Sequence, residues 1–239
     1  MSFLDTLKGL FGRKPDLPTA PKPSSEARRY WLTKDDDLIW STVEEARKAL
    51  GNSVAIVGKV IDLKGGVIDG TKLPRPKDSQ NENAIALVIA GSNFTLTNGW
   101  VRGIPGGIVV KRENCAFEKL KFIDIGEDAL STVGEDATGI RISSCEFWND
   151  RDGDKSIQLN QAYGSTIRNC RIVGGVTGAR IQKDSYKTPN VTCVISGTTF
   201  EGCETGFNVA GKATVRLTDS KFKNVKKQYV TGSGSRVLK

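Results

Sequence analysis

The stretch SCEFWND, at residues 144–150, has counterparts along the chain, and this repetition decides the fold. In each counterpart a large apolar residue follows a small or polar pair. The stretches are TNGWVRG (97–103), KLKFIDI (119–125), SCEFWND (144–150), NCRIVGG (169–175), GTTFEGC (197–203) and DSKFKNV (219–225). Their large apolar residues are 22, 25, 25, 28 and 22 residues apart. This period is typical of a right-handed single-stranded parallel β-helix, in which each rung contributes three short strands.

The large apolar residues of these stretches serve as the anchors of successive rungs. They are Trp100, Phe122, Phe147, Ile172, Phe200 and Phe222. The residues two positions earlier are Asn98, Leu120, Cys145, Cys170, Thr198 and Ser220, several of them small, and we expect them to stack inside the solenoid. The chain has five cysteines and no CxxC pair, so buried reduced thiols are predicted rather than disulfides or a metal site.

Composition supports an all-β fold with one main domain. The chain has 239 residues, of which 38% are hydrophobic, and its 26 glycines suit short strands joined by turns. It contains no histidine. This absence excludes Ser-His-Asp and Cys-His catalysis and every histidine-ligated metal site.

The N-terminal sequence predicts a tether ahead of the solenoid. Residues 1–14 lack the features of a signal peptide and read as an amphipathic anchoring helix, followed by a proline-rich linker at 15–29. The apolar stripe of that helix consists of Phe3, Leu4, Leu7, Leu10 and Phe11. We expect it to dock into a larger protein assembly, with a membrane surface as the alternative.

The remaining chain divides into a cap and the solenoid. Residues 30–53 are predicted to form the cap, which includes a helix over 41–50 with Ser41 as its N-cap, and residues 54–239 the parallel β-helix. No segment is long and apolar enough to be predicted as transmembrane.

Positive charge is concentrated at the C-terminal end. Net charge is +8, and from residue 210 onward eight basic residues face a single acidic one, Asp219. Such an end can bind an acidic polysaccharide, a phosphate-rich surface or nucleic acid, of which nucleic acid is the partner we least expect. A solvated face that protects an exposed strand edge is an equally good interpretation.

Counting from the anchors suggests a site. Lys155 and Arg180 each lie eight residues after an anchor and are therefore predicted to be neighbours on successive rungs, close to Glu127, Asp128 and Asp154. Carboxylates beside basic residues suit β-elimination of a polyuronate, in which Ca²⁺ binds the sugar carboxylate and a basic residue removes the adjacent proton. The alternative is a set of surface ion pairs that stabilise the fold only slightly.

Four motifs resemble the pectate lyases of polysaccharide lyase family 3. They are GGVIDG (65–70), SQNEN (79–83), GEDALS (126–131) and DKSIQLN (154–160). The resemblance implies calcium ligands at Glu127 and Asp128 and catalytic bases at Lys155 and Arg180. We assign Asp154 to the same metal site and Gln158 and Lys183 to substrate binding. The segment GIPGGIVV (103–110) lacks an expected acidic ligand, and Thr177 replaces a basic residue, so we predict a partly degenerate site.

The N-terminal tether resembles that of bacteriophage spike proteins. That resemblance implies assembly in the cytoplasm, display on a virion or particle, a homotrimer, and binding of host surface polysaccharide. The leading hypothesis is a spike that binds acidic polysaccharide, with or without β-elimination. The alternatives are a Ca²⁺-dependent polyuronate lyase, secreted by a route that needs no signal peptide, and a non-catalytic structural attachment component.

Overall fold

The computed structural model describes residues 38–42, 60–71, 73, 85–89, 91–149, 155–183 and 192–239. Regular structure in these ranges consists of β-strands, with no helix. The strands are β1 Leu38–Thr42, β2 Val60–Asp62, β3 Val67–Asp69, β4 Ile85–Ile89, β5 Thr95–Arg102, β6 Ile108–Val110, β7 Ala116–Ile123, β8 Leu130–Thr132, β9 Arg141–Ser143, β10 Glu146–Asn149, β11 Lys155–Leu159, β12 Ser165–Arg168, β13 Arg171–Gly174, β14 Thr177–Ile181, β15 Cys193–Ser196, β16 Thr199–Glu201, β17 Thr205–Val209, β18 Thr214–Thr218, β19 Lys221–Lys223, β20 Lys227–Thr231 and β21 Arg236–Leu238.

Two long sheets wind around one core. The eight-stranded sheet has the order β1-β4-β6-β8-β11-β14-β17-β20, and only its β1–β4 pair is antiparallel. The thirteen-stranded sheet contains the remaining strands in two columns, which meet through the long strands β5 and β7. A rung such as β9, β10 and β11 pairs in parallel with the next, β12, β13 and β14. The predicted parallel β-helix is therefore confirmed.

Five of the six predicted anchors lie in register. Phe122, Phe147, Ile172, Phe200 and Phe222 pair in sequence along the thirteen-stranded sheet. The assignment of Trp100 as an anchor is wrong by one position, because Val101 is the partner of Phe122. A one-residue shift moves a side chain to the opposite face of a sheet. Trp100 therefore lies half-buried outside the core, with the ammonium of Lys121 5.1 Å from its ring centroid.

The core is built from columns of like residues. Phe122 and Phe147 stack with ring centroids 4.5 Å apart. The predicted column of small residues is also present, since Cys145, Cys170 and Thr198 are all buried. All five cysteines are free and buried, as predicted. Burial raises the pKa of Cys193 to about 12, so its thiol is inert at neutral pH.

Three corners connect the strands of a rung. The first corner joins the two columns of the thirteen-stranded sheet. The second corner leads into the eight-stranded sheet, and the third leads back. Every first corner from Asn98 onward contains a residue with positive φ, namely Asn98, Lys119, Ser144, Asn169, Gly197 or Asp219. The corner therefore imposes the same sharp bend on each of these rungs.

The N-terminal cap differs from the prediction where it can be compared. The helix start at Ser41 is wrong, because β1 continues through Thr42 and pairs with β4 along its whole length. This antiparallel pairing satisfies backbone groups at the edge of β4, a stabilisation that an isolated short helix would lack. Residues 43–50 of the predicted helix, the anchoring helix at 1–14 and the linker at 15–29 lie outside the described residues. Within the described ranges, no helix has the length and apolar character needed to cross a membrane.

Candidate functional site

A row of polar side chains runs along the outer face of the eight-stranded sheet, the face directed away from the main core. Ser131 pairs with Gln158, Gln158 with Arg180, and Arg180 with Asn208, one residue on each of four successive rungs. Their strand neighbours, such as Ile157 and Leu159, are fully buried. We call Ser131, Gln158, Arg180 and Asn208 the polar row. Because rungs stack at about 4.8 Å, its members are evenly spaced.

Apolar residues border the polar row at both ends. On the earlier rungs the same position holds Val88 and Val109, which belong to a second, fully buried apolar cluster with Ala86. On the last rung it holds Val230, which is 38% exposed. The polar groups are thus confined to the middle of the face.

The predicted adjacency of Lys155 and Arg180 is wrong. Lys155 pairs with Thr177, and the neighbour of Arg180 is Gln158. The second corner explains the difference, because residues 150–154 separate β10 from β11 whereas only residues 175–176 separate β13 from β14. Three residues along a strand and one rung across place the two Cα atoms about 11 Å apart.

The structure does bring Lys155 close to Asp128. The ammonium nitrogen lies 3.8 Å from Asp128 Oδ1, and the two side chains are only 11% and 16% exposed. Asp128 belongs to the second corner that precedes β8, and Glu127 precedes it there, half-buried. Gly126 is required because a Cβ at that position would lie 2.5 Å from the carbonyl oxygen of Pro105.

Only part of the predicted calcium site lies in the described residues. Ca²⁺ takes six to eight oxygen ligands. Of the three predicted ligands, the structure describes Glu127 and Asp128, and Asp128 faces the ammonium of Lys155. No group of three or more metal-ligating side chains occurs in the described part of the chain. Asp154 lies outside it, so its assignment as a ligand stays a prediction.

Arg180 and Lys183 have different surroundings. The Nε of Arg180 is buried and has no hydrogen-bond partner among the described residues. Lys183 lies after β14, where it forms an isolated bridge with Gln161, and its ammonium is 5.3 Å from the ring centroid of Tyr163. Lys183 therefore belongs to the third corner, and of the predicted substrate-binding residues only Gln158 lies in the polar row.

Counting from the anchors missed Ser131 and Asn208. A second repeat in the sequence, TGARI (177–181) and TGFNV (205–209), would have indicated Asn208, because the two stretches pair residue by residue. Its glycine is required by a close approach: a Cβ on Gly178 would lie 2.5 Å from the carbonyl oxygen of Gly206.

Lys111 is a further basic residue that the count from the anchors did not indicate. It follows β6 and is only 9% exposed. Burial, and next the charge of Arg112, lower its pKa.

A comparison with protein families agrees with this geometry. The family model described as right handed beta helix region matches residues 83–238, more than half of the chain. The chain belongs to this right-handed β-helix family. No solved structure matches it. Family membership establishes the solenoid and leaves the chemistry of its outer face to be argued from the residues there.

Proposed function

We propose that this β-helix binds an acidic polysaccharide along the outer face of its eight-stranded sheet. The polar row carries the proposal. It offers an amide, a guanidinium and a second amide on neighbouring rungs, next to the buried Ser131, and these groups suit the hydroxyls and carboxylates of a uronic-acid polymer. Arg180 is the central contact, since a guanidinium can hold a carboxylate through two parallel hydrogen bonds.

Even spacing and rigidity support a polymer as the ligand. A repeating chain can contact successive rungs without bending, and a sheet holds its side chains in fixed positions before binding. Lys155, beside Asp128, lies at the start of β11 on the strand face of Ile157, not on that of Gln158.

The binding experiment is calorimetric titration with polygalacturonate, with a neutral glucan as the ligand control. We expect Arg180→Gln to weaken binding by about tenfold or more, the effect of losing a charge-assisted contact. Arg216→Gln, which removes an exposed arginine from β18 in the other sheet, is the matched control and should leave affinity unchanged. Equal affinities of the two variants would contradict the proposed face.

We further propose that the protein is displayed on a virion or other particle, as spikes are. The support is the sequence pattern of residues 1–29, an apolar helical stripe followed by a proline-rich linker. Deletion of residues 1–14 should abolish particle incorporation and leave polysaccharide binding intact. Incorporation without any polysaccharide binding would favour a purely structural attachment component.

A second candidate function is polyuronate lyase activity. Its support is the Asp128 and Lys155 pair, in which a basic residue of low exposure adjoins a carboxylate on the candidate binding sheet. In β-elimination, removal of the proton next to the sugar carboxylate is followed by loss of the glycosidic oxygen and formation of a carbon–carbon double bond. Ultraviolet absorbance of this unsaturated product, with polygalacturonate or alginate as substrate, measures the activity. Turnover that persists in Lys155→Ala would exclude Lys155 as the base.

A further inference from the structure

A second row of side chains lies beside the polar row on the outer face of the eight-stranded sheet. Backbone hydrogen bonds continue the strand pairing past the strand ends. The N–H of Gln182 donates to the carbonyl of Leu159 at 2.8 Å, and the N–H of Ala210 donates in the same way to Ile181 at 2.9 Å. Alternate residues of a strand share a face, so the residues two positions after the polar row lie next to it. We call them the flanking row: Val133, Asn160, Gln182 and Ala210.

Amides dominate the two rows. Four of their five partly exposed polar side chains are amides, and the fifth is a guanidinium; the five are Gln158, Asn160, Gln182, Asn208 and Arg180. Gln158 and Asn208 are the partners of Arg180 on the two neighbouring rungs. The amide nitrogen of Asn160 donates to the carbonyl of Thr132 at 2.6 Å, which holds that side chain against the sheet. The face therefore presents one charged group between neutral ones.

Two other basic residues of this sheet do not extend the rows. Lys155 lies on the opposite strand face from Gln158. Lys111 is only 9% exposed and follows β6, three rungs before Arg180 and therefore about 14 Å away along the solenoid. The structure describes every member of the two rows, and Arg180 is the only charged one.

The amides distinguish neutral sugars from uronates by their hydrogen-bonding capacity. An amide has donors at its nitrogen and an acceptor at its oxygen, and sugar hydroxyls can satisfy both. An ionised carboxylate only accepts, so beside Gln158 or Asn208 it would leave the amide oxygen facing another acceptor. Removing such groups from water without a partner costs free energy. Beside Arg180, by contrast, the carboxylate forms charge-assisted hydrogen bonds.

We propose that the preferred ligand of this face is a heteropolysaccharide in which a single uronate lies between neutral sugars. The carboxylate binds Arg180, and hydroxyls of the neutral sugars on either side bind Gln158 and Asn208. Asn160 and Gln182 contact the same sugars from the flanking row. This inference rests on the proposed function, because it specifies which acidic polysaccharide the same face selects. A homopolymer of uronates binds more weakly, since its carboxylates beside the amides have no cation to pair with.

Calorimetric titration of the full chain with oligosaccharides of equal length tests this preference. One probe is the repeating unit of deacylated gellan, which has a single glucuronate among neutral sugars. The others are an oligogalacturonate, which has a carboxylate on every sugar, and a neutral cello-oligosaccharide. We expect the singly charged probe to bind at least about tenfold more tightly than either of the others, the effect of one well-paired charged contact.

Protein variants assign the preference to the polar row. Arg180→Gln should lower the affinity for the singly charged probe to that for the neutral probe. Gln158→Arg combined with Asn208→Arg adds a cation on each neighbouring rung and should reverse the preference, so that oligogalacturonate binds about tenfold more tightly than the singly charged probe.

A charge-matched variant controls for the added cations. Ser196→Arg combined with Thr218→Arg adds the same charge to a pair of neighbouring positions on the outer face of the thirteen-stranded sheet. It should leave the order of the three affinities unchanged.

Two results would overturn the inference while leaving the proposed function in place. One is an oligogalacturonate affinity equal to or above that of the singly charged probe in the unmodified protein, with both weakened by Arg180→Gln. The other is a reversed preference in the control variant as well, since net charge and not the polar row would then set the order. Absence of binding by all three probes would contradict the proposed function and this inference together.

Discussion

The first and second corners of the solenoid follow different rules. From β9 onward the first corner always contains two residues, at 144–145, 169–170, 197–198 and 219–220, whereas between β2 and β3 it contains four, at 63–66. The second corner ranges from two residues at 175–176 to fifteen at 70–84. Where the corner has a constant length, residues at equal distances from their anchors occupy equivalent positions on successive rungs. Where the corner varies in length, equal distances in sequence no longer identify equivalent positions. Structure is therefore uniform around the first corner, and chemical variety is concentrated after the second.

Insertion of one glycine into each corner should give the largest difference in stability between the two. Placed after Ser144, it shifts Phe147 out of the core and should lower the free energy of unfolding by about 5 kcal/mol or more, enough to prevent folding. Placed between Gly175 and Val176 in the second corner, it should cost about 1 kcal/mol or less, because a longer turn adds little closure entropy. Circular dichroism and urea denaturation of both variants measure the difference. Equal losses would show that the second corner is as constrained as the first.

Truncation of neighbouring side chains after the first corner should have unequal effects. Phe147→Ala removes a stacked, fully buried ring and should destabilise the protein by about 3–5 kcal/mol. Trp148→Ala removes a half-buried ring whose contacts are the guanidinium of Arg171, 4.7 Å away, and Glu146, and should cost about 1–2 kcal/mol. Denaturant midpoints measure both. A larger loss for Trp148 would contradict the assignment of inward and outward faces.

The fold was predictable because its signals lie beside the fixed corner. The anchors from Phe122 to Phe222 are separated from their first corners by a constant number of residues, so their spacing reveals the rung length directly. Trp100 was misassigned because β5 runs through its corner without a break, and two apolar residues, Trp100 and Val101, compete for one position.

The candidate site was less predictable because it lies beyond the variable corner. Lys155 and Arg180 are equally far from their anchors in sequence, yet the turns before them differ by three residues. The Asp128 and Lys155 contact was anticipated only as a loose cluster. The lengths of the turns determine which of these residues are in contact.

Backbone strain offers a smaller test of the first corner. Ser144 is exposed and has φ of 54°, in the left-handed region. Ser144→Val should destabilise the protein by about 1–2 kcal/mol, since a β-branched residue fits that region poorly. Ser144→Gly should leave stability equal or slightly raised. Thermal unfolding compares the two variants, and a stable valine variant would mean that the bend does not depend on this residue.

The second corner of the first described rung depends instead on a carboxylate. Burial raises the pKa of Asp69. Hydrogen bonds from the hydroxyl and N–H of Thr71, together with the ion pair with Arg102, outweigh burial and hold that pKa below its ordinary value. The stability contributed by this ionised group is present above its ordinary pKa and is lost as pH falls through the lowered value. The difference in unfolding free energy between the unmodified protein and the Asp69→Asn variant should therefore vanish in acid.

A carbon-detected NMR titration checks this directly. Thr71→Val should raise the pKa of Asp69, and the exposed-charge control Arg141→Gln should not. If Asp69 titrates at or above the ordinary pKa of an aspartate, the described hydrogen bonds do not control this corner.

The polar row is continuous only if Gln158, rather than Lys155, adjoins Arg180. The most direct test is oxidative cross-linking of two double variants, Gln158→Cys with Arg180→Cys and Lys155→Cys with Arg180→Cys, followed by peptide mass analysis. The first pair has Cα atoms about 4.8 Å apart, within the range of a disulfide, and should cross-link while the five buried native thiols stay reduced. The second pair, about 11 Å apart, should not. Efficient cross-linking of the second pair and not the first would contradict the register on which the proposed binding face depends.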